Sequence, residues 1–306
     1  MTNTHWFFVI NPVSGNRKGL ALWKIVKEKL EYAKVDFSFA VSDFHKHTVQ
    51  LVQEKQASGC RHFIGIGGDG TLNEMVNGIM NSSITEGEIT LGLIPVGTGN
   101  DWVKSQEEPL SADTIVAKLK QNRSRLHNVG KVEMSSEQAP YYFMNIAGAG
   151  IDGAIVNTLE VQNKKGKAGQ WVYVKSLVKT LFTYKTPIVK IEVDSEPLYD
   201  GRSFLVAASL GKYFGSGMFL SPKADFNSGT LNFTLAKKDK LYRVFPQLHK
   251  LFNGKIETAS FVEKRNGKHL SISSIELLQV QADGELVGET KTLSFSISPV
   301  GIKVLV

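Results

Sequence analysis

Three of the first four strand-like runs in this chain end in small, glycine-rich loops that carry hydroxyl and carboxyl groups. Asn11-Pro12-Val13-Ser14-Gly15 follows the run Trp6–Ile10, Gly67-Gly68-Asp69-Gly70-Thr71-Leu72-Asn73 follows 62–66, and Pro95-Val96-Gly97-Thr98-Gly99-Asn100-Asp101 follows 90–94. These runs, with Phe37–Val41 second among them, are rich in β-branched and aromatic residues and read as strands. Helical periodicity fills the intervals. Leu22, Val26 and Leu30 recur every four residues, and Leu72, Met75, Val76, Ile79 and Met80 form an amphipathic stripe. A further helix is expected over 111–122. Strand–helix alternation at this spacing implies a parallel sheet with helices on both faces. In such sheets ligands bind beyond the carboxyl ends of the strands, where these three loops fall. Glycine lets backbone N–H groups approach a phosphate, and a following helix N-terminus adds a favourable dipole. Thr71 is placed as a helix N-cap, with Glu74 completing a capping box.

Beyond Arg125 the pattern changes to successive strands, at 126–134, 141–147, 188–194, 203–209, 231–235, 259–264, 277–282 and 293–297, with 301–306 free to return to either part. Runs of strands predict an antiparallel second domain, a sandwich or barrel. Two helical patterns interrupt it: Trp171, Val174, Val178 and Leu181, then Leu241, Val244, Phe245, Leu248, Leu251 and Phe252, with a kink expected at Pro246. The limits read as 1–125 and 126–306. At 306 residues the chain exceeds the length of about 250–300 at which one core stops growing, which suits two domains. A lone cysteine, Cys60, excludes an intramolecular disulfide framework and a zinc site built on several thiolates, and it fits a reducing cytoplasm. The first apolar run is too short for a signal-peptide core, and no run approaches the roughly 20 residues of a membrane span.

Two stretches, Gly65-x-Gly67-x-x-Gly70 and Gly148-x-Gly150-x-x-Gly153, fit the dinucleotide fingerprint. The first follows the third strand and not the first, and the second opens no clear β-α-β unit. No G-x-x-x-x-G-K-[ST] occurs, which excludes a P-loop protein. The seven histidines form no convincing ligand set, and the close pair His45 and His47 reads as a surface loop.

Taken together, the loops resemble those of the diacylglycerol kinase catalytic family, which includes sphingosine kinases and soluble bacterial lipid kinases. The resemblance rests on Gly67-Gly68-Asp69-Gly70-Thr71, with Asn11-Pro12-x-Ser14-Gly15 before it and Gly97-Thr98-Gly99-Asn100-Asp101 after it. It continues with Gly148-Ala149-Gly150-Ile151-Asp152 and ends with Asp283-Gly284-Glu285, so it covers nearly the whole chain. It implies an α/β N-terminal domain of the NAD kinase and phosphofructokinase type and a mainly antiparallel β-sandwich C-terminal domain. It also implies an ATP-dependent lipid kinase of phospholipid biosynthesis, moving the γ-phosphoryl group to the hydroxyl of diacylglycerol or a similar lipid. By the same resemblance Asn11, Pro12, Ser14, Gly15, Gly67, Gly68, Gly70, Thr71, Asn73 and Thr98 bind ATP. Ser42, at the end of the second strand, is a further nucleotide contact. Asp69 and Asp101 organise the Mg²⁺–phosphate region, and Glu285 is the general base. Phosphoryl transfer needs positioning, charge neutralisation and a base within reach of the acceptor hydroxyl. A plain hairpin turn is the other meaning of Asp283-Gly284.

The family resemblance also implies a structural Mg²⁺ in the second domain, at Asp225, Ser228 and Thr230. Ser228 stands there in place of the usual acid, although Mg²⁺ prefers carboxylate oxygens. Trp102 replaces the family's usual phenylalanine. Two other functions share the fold. An NAD kinase-like activity is argued against by Gly97–Asp101 as a motif and by the late Asp-Gly-Glu, and a non-catalytic lipid or nucleotide sensor is favoured by Ser228 alone.

The formal charge of +7 is regional. Between Val161 and Ile191 lie Lys164, Lys165, Lys167, Lys175, Lys179, Lys185 and Lys190 with no acid, and Lys237, Lys238, Lys240, Arg243, Lys250 and Lys255 flank the second helical pattern. Basic amphipathic helices can lie on anionic bilayers; alternatively the apolar stripes cover the β-domain core and the lysines form a solvated rim, and the two readings are compatible. A cytoplasmic protein peripherally associated with an anionic membrane surface is expected, with a lipid substrate, no nucleic-acid partner and a homodimer left open.

Overall fold

In the computed structural model of the chain, residues 4–97, 99–134, 139–163 and 170–306 are described, and for 159–163 and 170–174 the backbone alone. The chain divides into two units, one running to Val129 and taking in Pro299–Val306, the other spanning Gly130–Ser298.

The first unit is built on β1 (Trp6–Ile10), β2 (Phe37–Val41), β3 (His62–Gly67) and β4 (Thr90–Pro95), parallel in the order β2-β1-β3-β4. The C-terminal strand Ile302–Leu305 adds parallel to β4, and β5 (Ser124–His127) closes the edge antiparallel to it. All of β1 is buried, as is β3 after its first residue, because helices cover both faces of the sheet. On one face Trp6, Phe8, Ile64 and Ile66 pack with Trp23, Val26 and Leu30 of the helix Gly19–Tyr32 and with Ile115 and Leu119 of Ile115–Gln121. The other face carries the helices His47–Ala57 and Asp69–Met80, the latter burying Met75, Val76 and Ile79 completely. The helix expected from 111 begins only at Ile115. Ser111 and Thr114 exchange side-chain and backbone hydrogen bonds ahead of it and form a turn instead.

The second unit holds an antiparallel sheet of nine strands: β6 (Gly130–Glu133), β7 (Tyr141–Phe143), β8 (Ile146–Gly150), β9 (Ile188–Val193), β10 (Glu196–Ser209), β13 (Leu231–Lys237), β14 (Val262–Gly267), β15 (His269–Ala282) and β16 (Glu285–Ile297), with β11 (Tyr213–Phe214) and β12 (Met218–Phe219) forming a separate two-stranded ribbon. The order is β14-β13-β10-β8-β15-β16-β6-β7, and β9 takes the place between β10 and β15 past the end of β8. The run 126–134, expected as one strand, is two. His127 pairs in the first sheet and Gly130 in the second, and periodicity cannot register a break between two strand-like halves. A helix that the sequence reading omitted, Ile151–Asn163, follows β8 directly. Gln170–Thr183 is helical as expected, though Trp171 and Val174 fall among the residues without described side chains. The pattern over 241–252 breaks into Leu241–Val244, a 3₁₀ turn Phe245–Gln247 and Lys250–Asn253, because Pro246 lacks the N–H a continuous helix requires.

Candidate active site

The three glycine-rich loops of the first unit meet at the carboxyl ends of β1, β3 and β4, and the second is hydrogen-bonded to each of the other two. Backbone bonds set the register: Asn11 N–H donates to the Ile66 carbonyl at 3.0 Å and Val96 N–H to the Gly67 carbonyl at 2.7 Å. Asn11 Nδ2 then donates to Thr71 Oγ1 at 3.0 Å, joining the first loop to the second. The first loop also lies on the third. Gly15 has φ 59°, and a Cβ there would sit 2.7 Å from Val96 Cγ1 and 3.1 Å from the Gly97 nitrogen. Only glycine allows both that backbone angle and that approach. Pro12 and Ser14 are half-buried within the same turn.

Asp69 joins the second loop to the third. Its Oδ2 accepts the Asp101 N–H at 2.8 Å and its Oδ1 the Trp102 N–H at 3.2 Å. Those amides open the short helix Asp101–Lys104, so Asp69 caps a helix 32 residues away in sequence. Asp101 itself is buried, at 6% exposure, with Oδ1 3.2 Å from Lys104 Nζ. Asn100 adopts left-handed backbone at φ 49° and donates Nδ2 to the Gly97 carbonyl at 2.9 Å. Gly68 and Gly70 bracket Asp69 at the start of Asp69–Met80. That helix N-terminus and the glycine backbone beside it form a cradle suited to anions.

Other residues in the expected nucleotide set sit deeper. Ser42 is buried, and its N–H at 2.9 Å and hydroxyl at 3.4 Å both donate to the Ile10 carbonyl. Asn73 is fully buried and accepts Asn77 Nδ2 on its backbone oxygen at 2.9 Å. Thr98 lies outside the described residues. The capping box does not form. The helix starts at Asp69 with Gly68 as N-cap and no side-chain cap bond, while Thr71 Oγ1 receives Asn11 and Glu74 Oε1 accepts the Lys46 N–H at 3.0 Å. Spacing alone could not anticipate that both side chains bond outside their own helix.

In the second unit, Asp283 and Gly284 have φ 51° and 85° and make the two-residue turn between β15 and β16, with Ala282 paired to Glu285. The Asp283 carboxylate accepts N–H groups from Met144 at 2.8 Å, Asn145 at 2.9 Å and Ile146 at 3.0 Å. Glu285 begins β16, half-buried. Gly284 N–H donates to Gln281 Oε1 at 3.0 Å, and Gln281 Nε2 donates to Asp152 Oδ2 at 3.0 Å, so the Asp-Gly-Glu and Gly-Ala-Gly-Ile-Asp segments are physically linked.

Asp152 is 2% exposed, and burial pushes its carboxyl up from the ordinary 3.8 to about 7. An acid that is harder to ionise when folded holds its full share of stability below the unfolded pKa and loses it as pH rises toward the folded one. Asp152→Asn is therefore expected to flatten the pH dependence between about pH 4 and pH 7, and to exceed the wild type at about pH 8 by on the order of 3 kcal/mol. Urea unfolding at the two ends of that window measures the difference. A gap that does not widen toward high pH rejects the assignment.

The loop implied to hold Mg²⁺ has one carboxylate. Asp225 Oδ1 accepts the Asn227 N–H at 2.9 Å, and Ser228 and Thr230 offer hydroxyls already bonded within the loop. Among the described residues no group of three His, Cys, Asp or Glu gathers as metal ligands. This donor set does not fit a divalent cation, which favours several free carboxylate or carbonyl oxygens.

Residues 5–132 match the model of the diacylglycerol kinase catalytic domain, and residues 145–306 match that of the YegS C-terminal NAD kinase beta sandwich-like domain. A Bacillus subtilis protein, YtlR, named provisionally as a lipid kinase, is 26% identical over 98% of this chain and 99% of its own. A diacylglycerol kinase of the same organism is 28% identical over 92% and 89% respectively. A Bacillus anthracis structure titled provisionally as a diacylglycerol kinase superposes with a TM-score of 0.77 at 22% identity, covering 100% of this chain and 98% of that one. An NAD kinase from Archaeoglobus fulgidus, in complex with ATP, superposes at 0.55 with 12% identity, covering 99% and 93%. At these identities the structural likenesses speak to the fold.

Proposed function

The chain belongs to the diacylglycerol kinase catalytic-domain family, a kinase family on an NAD kinase-like fold, and on that footing we propose that it transfers the γ-phosphoryl group of Mg-ATP to the hydroxyl of a diacylglycerol-like lipid. The observation that supports this most is the Asp69 carboxylate on the amides of Asp101 and Trp102. It holds two glycine loops as one phosphate cradle before any nucleotide arrives, and preorganised positioning is most of what phosphoryl transfer asks of a protein. In this assignment Asn11, Pro12, Ser14, Gly15, Gly67, Gly68, Gly70 and Thr71 line the nucleotide, and Asp69 and Asp101 face the Mg²⁺ that ATP brings as substrate. Ser42 and Asn73 support the loops from beneath. Glu285 takes the proton of the lipid hydroxyl as its oxygen forms the bond to the γ-phosphorus, and the bond from that phosphorus to the bridging oxygen breaks to release ADP.

The second unit offers a place for acyl chains. A cavity of about 70 Å³ is lined by Ile155, Leu177, Leu181, Phe204, Val244 and Leu251, with Asp152 and Thr234 as its polar members. Ligand pockets ordinarily run to about 300–1,000 Å³, so a long chain must push these walls apart. Two of those walls are the helix Gln170–Thr183 and the segment 241–253. They expose Phe182 at 65% and Tyr242 at 64%, beside Lys179, Lys185, Lys240 and Arg243. Phe182 packs against Phe245 with ring centroids 4.9 Å apart and the rings tilted by 30°, and Lys240 and Arg243 lie over the Tyr242 ring. Exposed aromatics ringed by cations suit the interface of an anionic bilayer, and we assign this surface to reversible docking. Lys164, Lys165 and Lys167 lie outside the described residues. Among the described residues no helix is long and apolar enough to cross a membrane.

Labelled ATP is offered with diacylglycerol in anionic vesicles, and in parallel with a short-chain, water-soluble diacylglycerol. Label is expected in lipid in both. The double variant Phe182→Ser, Arg243→Glu is expected to lose about tenfold on vesicles and to keep its rate on the soluble substrate. Phosphorylation of NAD with no labelled lipid would replace the assignment with an NAD kinase, and ATP binding with transfer to no lipid would replace it with a sensor.

A further inference from the structure

We infer that this chain closes its 225–230 loop with the Ser228 hydroxyl where the family resemblance implies a divalent cation. A cation organises a loop by drawing several oxygen atoms toward one point and neutralising their mutual repulsion. Ser228 Oγ occupies such a point. It lies 3.1 Å from the Asp225 carbonyl oxygen and 2.9 Å from that of Thr230, and it receives the Thr230 N–H at 3.3 Å and the Thr230 hydroxyl at 3.2 Å. One hydroxyl has one hydrogen to donate and two lone pairs to accept with. Ser228 therefore donates to one carbonyl at a time and accepts from both Thr230 donors, which is its whole capacity.

The residue type decides the matter. An ionised carboxylate at 228 can only accept. Set against the Asp225 and Thr230 carbonyls, it would leave oxygens facing oxygens with no hydrogen between them, an arrangement that calls for a cation. Serine brings its own hydrogen and removes the need. The base of the same segment is held by another group of the protein itself. Lys264 Nζ donates to the Leu220 carbonyl at 2.7 Å, Ser221 Oγ at 3.1 Å and Thr234 Oγ1 at 2.5 Å, and Ser221 is fully buried. Beyond the loop, Leu231 is fully buried at the start of β13. The loop is thus fixed at its base by an amino group, at its tip by a hydroxyl, and at its exit by the core.

Isothermal titration of the nucleotide-free full chain with MgCl₂ and with CaCl₂, together with thermal unfolding in chelator and in each salt, tests this. The wild type is expected to show no site that Asp225→Ala removes, and the same midpoint in chelator as in Mg²⁺. Ser228→Asp is expected to gain one site, with a midpoint that rises by about 5–10 °C when the cation stands at about 100 times its Kd. Ser228→Ala is expected to unfold at a lower temperature than the wild type, and Mg²⁺ does not restore it. A wild-type binding site abolished by Asp225→Ala overturns the inference. So does a Ser228→Asp chain that binds no more cation than the wild type.

Discussion

Asp69→Ala is expected to weaken ATP binding by at least about tenfold and to slow phosphoryl transfer by about 10²–10³-fold, the larger loss falling on turnover. The two bonds it removes are charge-assisted, each worth roughly 1.5–3 kcal/mol. Both donors, the Asp101 and Trp102 amides, are first-turn N–H groups with no intrahelical acceptor, so the variant takes the Asp69 carboxylate away from both. With the tie gone, the Val96 N–H on the Gly67 carbonyl still joins the third loop to the second, but at the strand end and not at the loop tip. Asp69→Asn separates positioning from charge. An amide keeps one acceptor oxygen, so a residue that mainly holds the loop retains an intermediate activity as Asn, whereas one that mainly meets Mg-ATP falls as far as Ala. Steady-state kinetics on the three proteins, with amide exchange at Asp101 and Trp102, read the two effects independently. Wild-type nucleotide affinity and turnover in Asp69→Ala would sink the assignment.

Much of the first unit was legible because it obeys local rules. The runs at Trp6–Ile10 and Phe37–Val41 are apolar and β-rich, and they fold as the strands they resemble. The three loops could be placed on one sheet edge because a parallel sheet offers only one carboxyl edge. What could not be read was the direction in which each polar side chain points. That the Asp69 carboxylate also caps a distant helix was not legible, and Thr71 looked like a cap but in the fold accepts Asn11. Those partners are 32 and 60 residues away, and no periodicity carries information over such separations. The helix Ile151–Asn163 was hidden for another reason. Gly150 and Gly153 flank its start and signal a loop, yet at Gly153 a Cβ would lie 2.6 Å from the Gln279 carbonyl, so the glycine marks close packing on β15. The pairing of Gly-Ala-Gly-Ile-Asp with Asp-Gly-Glu through Gln281 depends on β8 lying beside β15, which only the sheet order supplies.

Glu285→Gln is expected to reduce turnover by about 10²–10⁴-fold while leaving ATP affinity and the unfolding midpoint unchanged. The carboxamide has the same shape but cannot take the proton of the lipid hydroxyl. The obvious objection is that 283–285 is only a tight turn, and the hydrogen bonds answer it by dividing the labour. The turn is held by Asp283, whose carboxylate carries three backbone N–H groups, and by the positive φ of Asp283 and Gly284. Asp283→Ala should therefore cost several kcal/mol of stability, since it leaves three amides without their acceptor. The pairing of Glu285 with Ala282 uses backbone, and glutamine keeps both that backbone and the shape of the side chain. A structural residue and a base thus predict opposite pairs of outcomes. If Glu285 serves the turn, Gln lowers stability and activity together; if it serves the reaction, Gln lowers activity alone and removes the acid limb of the pH–rate profile, which reports the essential base. Unfolding curves, ATP binding and initial rates on Glu285→Gln and Asp283→Ala distinguish the two. A Glu285→Gln enzyme within a few-fold of the wild-type rate would remove Glu285 from the chemistry and direct the search for the base to another acid.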